Sequence, residues 1–179
     1  MARYGMLINT KKCVGCYACR VACQMVNGLE SDEAFIKFDE MEQGVYPNVY
    51  AEVVPVQCMH CEDAPCEAVC PTHATYTTDS GVVLVDEERC IGCKYCMAAC
   101  PYGARIQIKK TGVIEKCRFC WYEGEPGNPP RCVGTCISGA RLFGDLDDPA
   151  SEVSKAVVER KAHALLEEQG TRPQVYYFD

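Results

Sequence analysis

The chain has 179 residues, 48% of them hydrophobic, a length for one large domain or two small ones with an ordinary globular balance. Its formal charge is −7 with a pI near 5, and its lysines and arginines are scattered, which excludes an electrostatic footprint for nucleic acid. No window approaches about eighteen consecutive apolar residues, and the opening MARYGMLINTKK lacks the pattern of a secretory signal, so neither a membrane span nor an export leader is read.

In chain order the first motif is CVGCYACRVAC, with Cys13, Cys16, Cys19 and Cys23. Cys23 leads into QMVNGLESDE, whose Asn27-Gly28 turn and acidic residues do not continue as a strand. Residues 24–57 hold no cysteine; strands are predicted at 35–38 and 49–56 around a turn from Gly44 to Asn48. This insertion reads either as a packing layer or as a docking surface. Cys58, Cys61, Cys66 and Cys70 follow in CMHCEDAPCEAVCP. Asp79-Ser80-Gly81 then separates two runs rich in β-branched and aromatic residues, which predicts a hairpin. The third group, Cys90, Cys93, Cys96 and Cys100, lies in CIGCKYCMAACP, and the fourth, Cys117, Cys120, Cys132 and Cys136, in CRFCWYEGEPGNPPRCVGTC. Toward the C-terminus, Asp148-Pro149 fits an N-cap with proline at the first helical position, and Gly170 fits a helix stop, so a surface helix is predicted over about 149–169. PQVYYFD then reads as a short strand or arm.

The four groups use all sixteen cysteines. Zinc takes two separated pairs, because four tetrahedral ligands need only two knuckles. Here two groups place three cysteines within seven residues, and residues 90–101 match the ferredoxin run C-x2-C-x2-C-x3-C-P, in which the fourth cysteine binds the other cluster of a pair. Iron–sulfur clusters of the [4Fe-4S] type are therefore expected, four in number. The repeat continues past the ligands: CPTHATY, CPYGARI and CISGARL carry Ala74, Ala104 and Ala140 four residues after the cysteine. Small alanines let the chain lie close to a cluster, Gly103 and Gly139 permit turns at positive φ, and a short strand is expected after each. Because each cysteine is assigned and no phosphate loop is present, no active site is expected in this chain.

On these motifs the chain resembles the four-cluster iron–sulfur subunit of the dimethyl sulfoxide reductase family of molybdenum or tungsten bis-pterin oxidoreductases. The resemblance covers GMLINTKKCVGCYAC, QCMHCEDAPCEAVCP, ERCIGCKYCMAACPYGA, EKCRFC and GDLDDPASEVSK. It implies a non-catalytic wire that passes electrons between a large pterin-bearing subunit and a membrane quinone-linked or soluble partner, without nucleic acid. It is compatible with a cytoplasmic location or with export alongside a twin-arginine-bearing partner. Two departures stand out: Ile137 follows Cys136 where many relatives have proline, and the C-terminal membrane helix of some relatives has no counterpart. The alternative readings are a freestanding polyferredoxin shuttle and a zinc-stabilised interaction module.

The expected fold is α+β: a continuous ferredoxin-like unit at 58–108 nested inside a split one made of 1–23 and 109–145, with the insertion at 24–57 and a helix and arm at 146–179. Crossed ligation gives Cys58, Cys61, Cys66 and Cys100 for one cube and Cys70, Cys90, Cys93 and Cys96 for another in the continuous unit. In the split unit it gives Cys13, Cys16, Cys19 and Cys136, and Cys23, Cys117, Cys120 and Cys132. Spacing alone also tolerates pairing the first group with the second and the third with the fourth. The ferredoxin-like stretch, the missing strand after Cys23 and the resemblance favour nesting. Of the residues beside the ligands, His60 reads as a hydrogen-bonding or packing residue and His73 as a turn residue. Tyr17, Tyr95 and Trp121 read as water-excluding rings or ordinary packing, and Lys94 as a charge offset or a solvated lysine.

Overall fold

One local device is used three times. In the computed structural model, which describes residues 2–121 and 127–179, the loop leaving each of Cys70, Cys100 and Cys136 turns through a left-handed residue and enters a strand. The turning residue is His73 (φ 51°), Gly103 (φ 56°) or Gly139 (φ 61°). Glycine adopts this conformation freely, whereas for a histidine it costs about 1–2 kcal/mol. Ala74, Ala104 and Ala140 come next and are buried, as their small size requires.

Along the chain the elements are β1 (Tyr4–Asn9), α1 (Ala18–Asn27), β2 (Lys37–Val45), β3 (Asn48–Val56), α2 (Pro65–Ala68), β4 (Thr75–Thr77), β5 (Val83–Val85) and α3 (Tyr95–Ala99). There follow β6 (Ile106–Gln107), β7 (Ile114–Glu115), α4 (Arg131–Gly134), β8 (Arg141–Asp145), α5 (Glu152–Glu159), β9 (His163–Ala164) and β10 (Val175–Phe178). β4 and β5 form the expected hairpin, with Gly81 at φ 74° in its turn. β6 and β7 form a second, shorter one. Of the helices, α1 packs on α4 and α2 packs on α3.

The largest sheet has the order β8-β1-β10-β9. β1 runs antiparallel to β8, from Tyr4 opposite Asp145 to Ile8 opposite Arg141, and parallel to β10, from Met6 beside Val175 to Asn9 beside Phe178. Both faces of β1 are covered. Met6 and Ile8 join a core that includes Cys23, Cys58, Cys61, Cys117 and Cys132, while Leu7 faces a cleft beneath α5. The tail expected as a strand or arm is thus a central strand. Its Tyr177 hydroxyl donates to the carbonyl of Pro55 at 2.9 Å, fastening the sheet to the end of β3.

Two boundaries differ from expectation. The hairpin of the insertion is longer on its first side: β2 runs to Val45, and only Tyr46-Pro47 separates it from β3. Gly44, at φ 98°, lies inside the strand, where a Cβ would collide with the carbonyl of Asn48. The helix expected over about 149–169 is only α5. Asp148 accepts from the N–H of Ala150 at 2.8 Å, forming a turn ahead of the helix, and Ser151 takes the N-cap position. At the other end Lys161 turns left-handed (φ 51°), its N–H reaching the Val158 carbonyl and that of Ala162 the Val157 carbonyl. This is a Schellman stop without glycine. The chain continues as β9, antiparallel to β10, and Gly170 ends a 3-10 turn over Glu167–Gln169 instead. Among the described residues, no helix is long and apolar enough to cross a membrane.

Candidate metal centres

The residue two places after the first cysteine of every group is left-handed: Gly15 (φ 61°), His60 (φ 46°), Gly92 (φ 68°) and Phe119 (φ 51°). Reversing the backbone there curls each C-x2-C segment so that its thiols can turn to one side. In the first and third groups Tyr17 (φ 60°) and Lys94 (φ 66°) turn again and start α1 and α3, carrying Cys19 and Cys96 inward. The glycines are the residues this conformation asks for. His60 and Phe119 hold it because their rings stack, with centroids 3.8 Å apart, in the middle of the molecule.

These loops bring cysteines of different groups together. Cys58, Cys61 and Cys66 line a small cavity with Cys100 from the third group. Cys90, Cys93 and Cys96 line a second with Cys70 from the second group. Across the packed α1 and α4, Cys23 lies within electrostatic reach of Cys132 and Cys120, and Cys19 within reach of Cys13 and Cys136. Cys16 and Cys93 are the exposed members of their loops. Among the described residues, no three His, Cys, Asp or Glu side chains converge on a point that a single metal ion would fill.

The donor chemistry suits a cluster. Burial pushes the Cys23 thiol up to about 12, with Cys132 and Cys120 adding repulsion, and pushes Cys61 up to about 12 and Cys132 to about 11. Cys117 is raised as well, again chiefly by burial. Such thiols ionise only when a cation meets them, and iron bound as a cluster supplies that charge. At Cys70 and Cys136 burial also opposes ionisation, but hydrogen bonds outweigh it and hold both thiols below their ordinary value. At Cys136 the donors are the Ser138 hydroxyl at 3.6 Å and the N–H of Ala140 at 3.2 Å, and at Cys70 the N–H of Thr75 at 3.5 Å and the Thr72 hydroxyl at 3.8 Å, the same combination in two repeats. The N–H of Ile114 reaches Cys90 at 3.5 Å, and the Asn27 amide reaches Cys23 at 3.5 Å.

The residues singled out beside the ligands now have places. His60 is fully buried; its Nδ1 accepts from the N–H of Val83 at 3.1 Å, a hydrogen-bonding and packing role. His73 is the turn residue described above. Trp121 packs edge-on against Tyr4 at 6.4 Å and flanks the core. Tyr17 stacks at a tilt on Phe38 at 4.3 Å and bonds Glu40, joining the first cysteine loop to the base of the hairpin. Tyr95 is exposed and excludes little water, and Lys94 is exposed at the rim of the cavity that Cys93 lines.

Three buried cations were not anticipated. Lys116 donates to the carbonyls of Val83 and Cys117, and Arg105 and Arg141 are each only 3% exposed. The signal for the arginines was visible in the repeated Gly-Ala-Arg at 103–105 and 139–141.

Comparison with known proteins agrees with this chemistry. Residues 49–146 match a family model described as a 4Fe-4S dicluster domain, and residues 12–74 match a second model of the same description. The chain is 39% identical to a putative dimethyl sulfoxide reductase iron–sulfur subunit of Halobacterium salinarum, over 100% of this chain and 80% of that protein. It is 38% identical to a thiosulfate reductase electron transfer subunit of Salmonella typhi, over 97% and 91%. It is 34% identical to an arsenate respiratory reductase iron–sulfur subunit of a Shewanella species, over 98% and 95%.

Proposed function

Because the chain belongs to the iron–sulfur electron-transfer subunits of the dimethyl sulfoxide reductase family, we propose that it carries four [4Fe-4S] clusters and relays electrons one at a time. The ends of the relay are a large molybdenum or tungsten bis-pterin catalytic subunit and a quinone-linked or soluble partner. The observation that carries this reading is the crossing of cysteine groups: Cys100 joins the second group at one cavity and Cys70 joins the third at another. The proposed ligand sets are those of the nested arrangement, Cys58, Cys61, Cys66, Cys100; Cys70, Cys90, Cys93, Cys96; Cys13, Cys16, Cys19, Cys136; and Cys23, Cys117, Cys120, Cys132. The contacts of α1 with α4 and of α2 with α3, and the pairing of β1 with β8, support it.

A [4Fe-4S] cluster held by four thiolates supplies one-electron redox chemistry and no open coordination position. The protein's own share is to hold, bury and hydrogen-bond the thiolates, and to bring two of the sites to the surface. Cys16 and Cys93 are exposed, and so are the apolar residues next to them in their loops, Val14 for the first and Ile91 and Tyr95 for the second. Each is suited to meet a redox partner through apolar contact.

The β2–β3 hairpin is read as the docking element for the catalytic subunit. Val45, Tyr46, Val49 and Tyr50 are exposed on it, Tyr46 by 89%, and Tyr17 links its base to the loop of Cys16. Placing a carboxylate in this apolar tip by Tyr46→Asp is expected to weaken co-purification of the two subunits at least tenfold while leaving the iron content unchanged. Undiminished co-purification would remove the hairpin from the interface.

The reading as a whole is tested by anaerobic purification. The expected protein holds about sixteen irons, four for each of four sites. It accepts electrons from a strong reductant, shows no turnover of oxyanion or sulfoxide substrates alone, and co-purifies with a pterin protein. Zinc as the main metal, or turnover by a pure, pterin-free chain, would overturn it.

A further inference from the structure

Each ferredoxin-like unit contains one arginine at the same place in its repeat, and each is buried where an arginine should not be stable by itself. Arg105 follows Gly103-Ala104 and Arg141 follows Gly139-Ala140, and each is 3% exposed. None of the guanidinium nitrogens of Arg105 has an oxygen partner among the described residues, and the groups placed to accept from it are the thiols of Cys66 and Cys96. Arg141 gives one bond to oxygen, from Nη1 to Oε1 of Gln57 at 2.7 Å, and its Nη2 is left without a partner among the described residues. No carboxylate among those residues neutralises either. An unpaired buried guanidinium is strongly destabilising, so a negative charge must come from elsewhere.

What surrounds the two arginines is sulfur. Arg105 is the one residue, among the described residues, that lines both cysteine cavities of the continuous unit. Its charge acts on Cys66 and Cys58 of one set and on Cys96 of the other. Arg141 lies 3.9 Å from Sγ of Cys132 and also acts on Cys19, which belongs to the other set of the split unit. The third copy of the repeat has Thr75 at this place, so each pair of sites has a single arginine.

We propose that Arg105 and Arg141 are inter-cluster cations, each set between the two clusters of its own unit and holding the reduction potentials of both up. The inference rests on the four-cluster reading above. A cluster that takes up one electron gains one negative charge, and a fixed cation beside it in a medium of low dielectric favours that form. A cation shared by two clusters favours it at both, which keeps neighbouring steps of the relay close in potential. These are positioning and tuning residues, not ligands.

Redox titration of the intact subunit followed by electron paramagnetic resonance tests this. Arg105→Met is expected to lower two of the four midpoints, each by about tenfold or more in its one-electron equilibrium, or about 59 mV. Arg141→Met is expected to lower the other two, with no overlap between the sets. Arg105→Lys and Arg141→Lys, which keep the charge, are expected to restore the midpoints to within about threefold, a rescue that loss of packing alone would not give. Where a methionine variant fails to load, glutamine serves as the neutral residue. Unmoved midpoints, a shift of all four by either variant, overlapping sets, or lysine variants as low as the neutral ones would each overturn the proposal while four clusters remain. A wild-type chain holding some other number of clusters overturns the ligand reading, and this inference with it.

Discussion

Cys23→Ala is expected to lower the iron content from about sixteen to about twelve per chain, by removing a cluster whose other ligands lie about a hundred residues away. Cys19 and Cys23 are both on α1, four residues apart and so on one face of the helix. In the proposed ligand sets they nevertheless serve different centres. The face packs on α4, which carries Cys132, and Cys23 is buried there with Cys132 and Cys120 as its foremost electrostatic neighbours. Cys19 instead responds to Cys13 and Cys136. The spectroscopic signature lost in Cys23→Ala should therefore match the one lost in Cys120→Ala and differ from the one lost in Cys16→Ala. A match with Cys16→Ala would place the whole first group on one cube and refute the nested ligand sets.

Anaerobic removal of iron is expected to abolish cooperative unfolding altogether. The two apolar cores are built partly from the proposed ligands: Cys23, Cys58, Cys61, Cys117 and Cys132 in the larger, Cys66 and Cys96 in the smaller. Most of the elements around them are too short to persist alone: four residues in α2 and α4, which carry Cys66 and Cys132, five in α3, which carries Cys96, three in β4 and two in β6. Binding free energy at such sites is folding free energy. The iron-free chain should lose its near-ultraviolet circular dichroism and melt without a transition. A sharp thermal transition in iron-free protein would show that the cysteines are core residues first and ligands second.

The centres were legible because their chemistry resides in residue type and spacing. Sixteen cysteines in four groups, with alanine four residues after three of the fourth cysteines, carry the repeat on the surface of the sequence. Backbone geometry was legible only in part. Gly103 and Gly139 announce their turns and His73 reads as a turn residue, whereas the turns at Gly15 and Gly92 were not read, and His60 and Phe119 take the left-handed conformation without an announcing residue. The stop of α5 at Lys161 was missed for that reason, and Gly170 attracted a helix end that belongs to a 3-10 turn. The pairing of β10 with β1 joins segments far apart in sequence, and no local pattern encodes such a register. The arginines were in view in the repeat, but a guanidinium reads as a surface group until its burial is seen.

The location of β10 also sets an order on biosynthesis. β1 leaves the ribosome well before residues 175–178, which form one of its two flanking strands, and until these appear Met6 to Asn9 present unpaired N–H and C=O groups. The stretch from 58 to 108 brings both of its cysteine groups within a single run of chain, with the β4–β5 hairpin inside it. On the proposed ligand sets, iron loading of the middle can proceed during translation, whereas the outer half waits for the fourth cysteine group and β10 to be made. A nascent chain that ends before residue 175 therefore leaves this edge of β1 open, the kind of unpaired edge on which misassembly starts.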